Sequence, residues 1–174
     1  MHLEKITPEQ IDHYLDELVQ TLQQTVAADG AVGFVMPLSA QTAAEFWQNN
    51  IKPQLLSGDR VMFVALEEGR LAGTGQLIVG MPNNQPHRAE ISKLMVHPDF
   101  RRRGVARQIM AELEAHAIHL GCSLITLDTR TGDNAEPLYI SLGYKTAGII
   151  PNYAKNAVGD DFHATTYMYK QVGR

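Results

Sequence analysis

The chain predicts a mixed α/β fold: a central twisted sheet of about seven strands flanked by helices. Three observations carry that prediction. Residues 88–96 and 123–128 read as apolar strands linked by an amphipathic helix over 104–120, a βαβ unit whose strands run parallel. Residues 60–67 and 70–80 are strand-like runs separated by Glu68-Gly69, the mark of an antiparallel hairpin. No repeat, low-complexity tract or linker interrupts the 174 residues, so a single domain over 1–174 is expected.

The remaining elements follow in order. Residues 2–6 alternate polar and apolar, as a short strand does. Thr7-Pro8-Glu9-Gln10 reads as a capping box with proline in the first turn, and Ile11, Tyr14, Leu15, Leu18, Val19, Leu22 and Val26 continue a helical face to about residue 27. Asp29-Gly30 and Gly33 end it. Ser39 caps a second helix whose stripe is Ala43, Phe46, Trp47, Ile51, Leu55 and Leu56, with a kink or restart expected at Pro53. Phe34, Phe46 and Trp47 are core in the plain reading; in the sharper one the loop 29–38 walls a substrate pocket. Gly73 and Gly75 inside a strand mark a bulge or a close approach. Along helix 104–120, Val105, Ile109, Leu113, Ala117 and Leu120 form the buried side. A short helix over 135–142 precedes a strand over 144–149, a loop over 152–161 and a last strand over 164–170.

Composition narrows the function. At 44% hydrophobic and 20% charged the chain is ordinary globular, and a net charge of −4 argues against a nucleic-acid partner. Arg101, Arg102 and Arg103 are therefore a local anion site on an acidic protein. Cys122 is the single cysteine, which points to a reducing compartment; with no apolar leader or span in the sequence, a cytoplasmic location away from membranes is expected.

The stretch Glu90–Ala106 organises the rest. A strand runs into a loop of three arginines and Gly104, and the loop opens directly onto a helix. Cations, a permissive backbone position and a helix N-terminus together outline a phosphate cradle.

Arg101-Arg102-Arg103-Gly104-Val105-Ala106 fits the pattern Q/R-x-x-G-x-G/A. With Leu138-Tyr139 and Gly143-Tyr144 downstream, it resembles the acetyl-CoA site of the GNAT acetyltransferase superfamily. The resemblance implies acetyl-CoA as cosubstrate and no metal. It implies pantetheine along the strand ending at Met95 and Val96, and pyrophosphate on the N–H groups of Arg101, Arg102, Arg103, Gly104, Val105 and Ala106. An N–H near Met95 or Val96 would face the thioester carbonyl. Arg88-Ala89-Glu90, Lys93-Leu94-Met95-Val96, Leu127-Asp128-Thr129, Ile150-Pro151-Asn152-Tyr153 and His163-Ala164-Thr165 resemble the tabtoxin-resistance type within that superfamily. Enzymes of that type acetylate the amino group of a β-lactam-containing, amino-acid-like toxin. A role in toxin or antibiotic resistance is the corresponding expectation.

That closer resemblance assigns Glu90 and Asp128 to the place where amine and acetyl group meet, either one serving as the base. The competing reading pairs them with Arg88 or Arg130 as ordinary strand-end carboxylates. Tyr139 is the candidate to protonate the departing thiolate and to touch the cofactor; a core tyrosine is its plain alternative. The asparagine that many family members carry seven residues before this tyrosine is replaced by Gly132, and Asn134 is not assigned a role. Cys122 is read as core. His116 and His119 have helical spacing for a metal but no evident third ligand. A small-molecule amine is the expected acceptor, with a protein or peptide acceptor and a non-catalytic acetyl-CoA sensor as alternatives. The segment near Phe34 and the C-terminal strand are the surfaces available to a homodimer.

Overall fold

Alternation along Arg60–Glu67 sets the layers. Met62 and Val64 join an apolar cluster with Ile11, Leu18, Leu22 and Trp47, while Phe63 and Ala65 join another with Ile109, Leu113 and Leu127. A strand apolar on both sides has to be covered on both, and helices do so here.

The computed structural model describes residues 1–173. In chain order the elements are β1 His2–Lys5, α1 Gln10–His13, α2 Leu15–Ala27, α3 Ala40–Glu45, α4 Lys52–Ser57, β2 Arg60–Glu67, β3 Arg70–Ile78, β4 Arg88–Val96, α5 Val105–His119, β5 Leu124–Arg130, α6 Ala135–Ser141, β6 Lys145–Lys155 and β7 Phe162–Gln171. The strands form one seven-stranded sheet in the order β1-β2-β3-β4-β5-β7-β6. Only β4 and β5 are parallel, as the crossover through α5 requires. α1 to α4 lie against one face and α5 and α6 against the other.

Several boundaries differ from expectation, each for a local reason. The first helix breaks at Tyr14 (φ −95°, ψ 8°) into α1 and α2; Tyr14 Oη donates to Glu4 on β1. Half of the predicted capping box forms: the Thr7 N–H donates to Gln10 Oε1 at 2.7 Å. The second helix restarts at Lys52-Pro53, as expected, with Pro53 in the first turn of α4. What the sequence did not show is the π turn over Phe46–Ile51 just upstream, which widens the coil ahead of the proline. Leu120 is exposed, not buried, because α5 has ended and Gly121 turns the chain with φ +81°. β5 continues past Asp128 to Arg130, so Asp128 is interior to its strand. Residues 152–155 belong to β6, not to a loop; register shifts between Thr146/Gly148 and Ile150/Ala154 let the strand absorb Pro151 and the positive φ of Asn152.

Gly73 answers the question its sequence position raised. A Cβ there would sit 2.7 Å from the Met95 carbonyl oxygen and 3.1 Å from Val105. The close approach is that of β4 and α5 to the sheet, and it fixes the start of α5 relative to the end of β4.

Candidate active site

A β-bulge in β4 builds the site. Thr74 pairs with Met95 and Gln76 with Ser92, so one residue of β3 faces two of β4, Lys93 and Leu94. Lys93 takes a left-handed φ of +52° to make this possible. The extra residue shifts the side-chain alternation. Ala89 and Ile91 pack toward α5 before the bulge, and Leu94 and Val96 do so after it. Ser92 and Lys93, adjacent in sequence, therefore both face the other side, with Glu90.

β4 and β5 part company at the same level. Their ladder runs Arg88↔Leu124, Ala89↔Ile125, Glu90↔Thr126 and stops. From Ile91 to Val96 the β4 edge toward β5 has no ladder partner among the described residues, an open strand edge able to receive an extended ligand by backbone pairing. The loop beyond it has two left-handed positions close together, Arg102 (φ 61°) and Gly104 (φ 80°), and Gly104 is the N-cap of the 15-residue α5. Alternating backbone hands turn successive N–H groups toward a common point, and the first-turn N–H groups of α5 add to them. Nothing lies within 4 Å of a Cβ built at Gly104, so the concavity is open. Two of the three arginines already have partners: Arg101 Nε donates to the Val96 carbonyl at 3.3 Å, and Arg103 lies 3.7 Å from Glu67 and over the Phe100 ring. Arg102 has no ion pair among the described residues. The loop fits a diphosphate, and the open edge fits the arm attached to it.

On the α1–α4 side of β4 lies a cleft of about 420 Å³, lined by Phe46, Asn50, Ile51, Gln54, Arg60, Ile78, Glu90, Ser92, Lys93 and Asp128. The π turn supplies Phe46 and Asn50 to its wall, and the loop 29–38 lies beside it: Phe34 stacks edge-on against Phe46 at 5.1 Å, and Lys93 Nζ is 3.4 Å from where a Gly33 Cβ would be. That loop is tied down by Asp29, which accepts from Arg130 Nη1 at 2.9 Å and from the Val158 N–H at 2.9 Å. Met36 N–H adds a bond to the Ala157 carbonyl at 2.8 Å. The hydrogen bond to Arg130, then that to Val158, holds the Asp29 carboxyl below its usual range. Phe46 lines the cleft while Phe34 packs behind it against the core, and Trp47 is fully buried core.

The cleft carries both signs of charge. Glu90 pairs with Arg88 at 3.3 Å, the partner the plain reading named, but 37% of its side chain remains exposed. Asp128 makes no ion pair with Arg130 or with any other described residue. Desolvation in the cleft, then the neighbouring Glu90 charge, raises its carboxyl above the usual range, against a smaller lowering from Lys93. Burial depresses Lys93, with Arg60 adding to it, and burial depresses Arg60. Arg60 bonds only neutral groups: Gln54 at 3.0 Å, Ser92 at 3.0 Å and Gln76. Neither cation has a carboxylate within ion-pairing distance. Tyr167, opposite Asp128 in register, shares its face and bonds Tyr153 hydroxyl to hydroxyl at 2.8 Å.

Tyr139 sits on the α5 side, buried, edge-on to Tyr144 at 5.9 Å. Burial first, then the Asp128 charge, pushes its phenol far above the ordinary value, so it holds its proton throughout the neutral range. Glu90 and Asp128 thus lie together on one face, and Tyr139 is within electrostatic reach from the other. The sequence reading missed Arg60, Ser92 and Lys93. One signal was present: Ser92-Lys93 puts two polar residues in succession inside a strand that otherwise alternates, which a bulge explains and a regular strand does not. Among the described residues no group of three or more metal-ligating side chains is assembled, and no helix is long and apolar enough to cross a membrane.

A splayed parallel strand pair, a loop shaped for a diphosphate at the head of the crossover helix and a cleft of mixed charge beside them fit a class of acyl-group transferase. Residues 17–144 match the acetyltransferase (GNAT) family. An uncharacterized N-acetyltransferase in the hisH-hisA intergenic region of Azospirillum brasilense is 30% identical over 138 residues, 76% of this chain and 80% of that protein. The fold is shared with a ribosomal-protein-alanine N-acetyltransferase from Brucella melitensis (TM-score 0.78, 16% identity, 99% of this chain and 100% of that one). It is shared too with a phosphinothricin acetyltransferase from Sinorhizobium meliloti in complex with acetyl-CoA (TM-score 0.77, 16% identity, 99% and 88%). The chain belongs to the acetyltransferase (GNAT) family and is an acetyl-CoA-dependent N-acetyltransferase.

Proposed function

We infer that the acceptor is a small zwitterion, an amine that also carries a carboxylate, as an amino acid or an amino-acid-like toxin does. One observation carries this reading: two half-buried cations without carboxylate partners, Arg60 and Lys93, share the cleft with two carboxylates, Glu90 and Asp128. Half-buried charges such as Arg60 and Lys93 are retained when something compensates them; a ligand carboxylate does so, while its ammonium meets the more open Glu90 and Asp128. The volume of about 420 Å³ suits a small molecule more than a peptide strand.

In this reading pantetheine pairs with the open β4 edge and the diphosphate rests on the N–H groups from Arg101 to Ala106. The ammonium group sits between Glu90 and Asp128. Asp128, whose raised pKa brings it nearer to that of a working base, takes the proton directly or through water. The neutral amine attacks the thioester carbonyl, whose oxygen is met by a backbone N–H near Met95 or Val96. Tyr139 donates to the departing thiolate. The fold neighbours named for a ribosomal-protein alanine and for phosphinothricin stand on either side of the acceptor question, so the acceptor has to be assayed.

The test is thiol release from acetyl-CoA with matched acceptors: an amino acid, its amide, the decarboxylated amine, and a short peptide. The expected order places the free amino acid first, with KM for it rising in Arg60→Gln while KM for the decarboxylated amine stays level. Equal use of amino acid and amine, or preference for the peptide, overturns the zwitterion reading.

A further inference from the structure

We propose that Lys93 is an internal acetyl acceptor: when no free amine occupies the cleft, its Nζ takes the acetyl group from the chain's own acetyl-CoA. The inference rests on the acceptor-site reading above. It starts from the bulge. Without the extra residue Lys93 would point toward α5; with it, the side chain enters the acceptor cleft, and the backbone holds a left-handed φ of +52° that a non-glycine residue adopts only at a cost.

Among the side chains lining the cleft, Lys93 alone carries a primary amine. Its Nζ has no carboxylate within 4.0 Å, so no ion pair holds it in the charged form. The charged groups around it are Arg60, which disfavours its proton, and Asp128, which favours it less strongly; burial outweighs both. The chain thus holds an amine with a lowered pKa where an acceptor amine is to be received, two residues from the Met95 backbone that orients the thioester.

The step balances. The neutral Nζ attacks the thioester carbonyl carbon, a C–N bond forms and the C–S bond breaks. The proton first lost by the resting Lys93 ammonium goes to solvent; CoA leaves as a thiolate protonated from Tyr139, and the proton lost by the attacking amine passes through Asp128 and water to restore Tyr139. The product is Nζ-acetyl-lysine and free CoA. One positive charge disappears from the acceptor subsite, so the modified enzyme binds a carboxylate less well. Self-acetylation would then be a brake that engages when acetyl-CoA is present and acceptor is absent.

The full chain, stripped of acceptor, is incubated with acetyl-CoA alone and mapped by peptide mass spectrometry, while calorimetry measures acetyl-CoA binding to the same protein. The peptide containing Lys93 is expected to gain one acetyl group about tenfold or more faster than those containing the exposed Lys5 and Lys145, as proximity dictates. The rate constant is expected to be independent of protein concentration and to fall when a free amine acceptor is added. Modification of Lys93 no faster than of Lys5 and Lys145, or at a rate proportional to protein concentration, overturns the proposal. A protein that binds acetyl-CoA and acetylates a free amine while Lys93 stays unmodified overturns this inference alone; one that does neither overturns the acceptor-site reading with it.

Discussion

Asp128→Asn should move rate and stability in opposite directions. The side chain makes no hydrogen bond or ion pair with another described side chain, so an isosteric amide leaves packing intact. What it removes is a charge that the folded state disfavours, through desolvation first and the Glu90 charge second. The linkage sign follows from the raised folded pKa. Well below the ordinary value of 3.8 the carboxyl is protonated in both states, and the variant has no advantage. As pH rises through that value toward the raised folded one, the unfolded state gives up its proton first. Wild type then loses stability that the amide keeps, so Asp128→Asn is expected to unfold at higher urea than wild type at neutral pH and at the same urea near pH ~3. Turnover goes the other way. Loss of a general base costs about 10²–10⁴ in kcat/KM, or about 3–5 kcal/mol at ~1.36 kcal/mol per factor of ten. Neighbouring charges set the pH profile: Glu90→Gln removes a like charge and moves the acidic limb of kcat/KM to lower pH, and Lys93→Gln moves it to higher pH. Urea titrations at both pH values and pH–rate profiles of the three variants check this. If Asp128→Asn loses activity and stability together, or keeps full activity, Asp128 is not the base.

Tyr139→Phe is expected to lower kcat with little change in acetyl-CoA affinity; unchanged turnover removes the phenol from the reaction. Gly104→Ala puts a Cβ on a residue at φ +80° but into open space, so only backbone strain counts: about 1–2 kcal/mol, or a Tm lower by about 2–8 °C for a chain of this size. Calorimetric Kd for acetyl-CoA should weaken as the cradle distorts, and an unchanged Tm and Kd would mean that the left-handed turn is not needed. Asp29, held below its usual range by Arg130, contributes stability that is present above 3.8 and lost as pH falls through its depressed folded value. Asp29→Asn should therefore be less stable than wild type at neutral pH and equal to it in strong acid. Because Asp29 anchors the loop beside the cleft, next to Phe46 and Lys93, acceptor KM should rise while acetyl-CoA binding holds.

The cofactor side was legible because its signals are local. Strand, arginine turn, glycine and helix follow one another within about twenty residues, and a cradle of backbone N–H groups needs only that order. The parallel pairing of β4 and β5 followed from the handedness and length of the crossover. The helices and strands of the N-terminal half were readable from period, including the restart at Pro53; the break at Tyr14 and the π turn over Phe46–Ile51 were not.

The acceptor side is different in kind. By itself the sequence determined the α/β sheet and the strand–loop–helix order around Gly104, and the resemblance it carries singled out Glu90 and Asp128, which the parallel pairing of β4 and β5 brings onto one face. Only the tertiary structure decided what faces them. Arg60 comes from β2, Phe46 and Asn50 from a π turn, and Asp29 is locked to Arg130 about a hundred residues away. Lys93 reaches the cleft because a single extra residue in β4 reverses the alternation, and such a slip depends on pairing with β3 across the sheet. Local pattern fixes which way a regular strand points its side chains, but a bulge is settled between strands, and here it turned a lysine from the core side into the site.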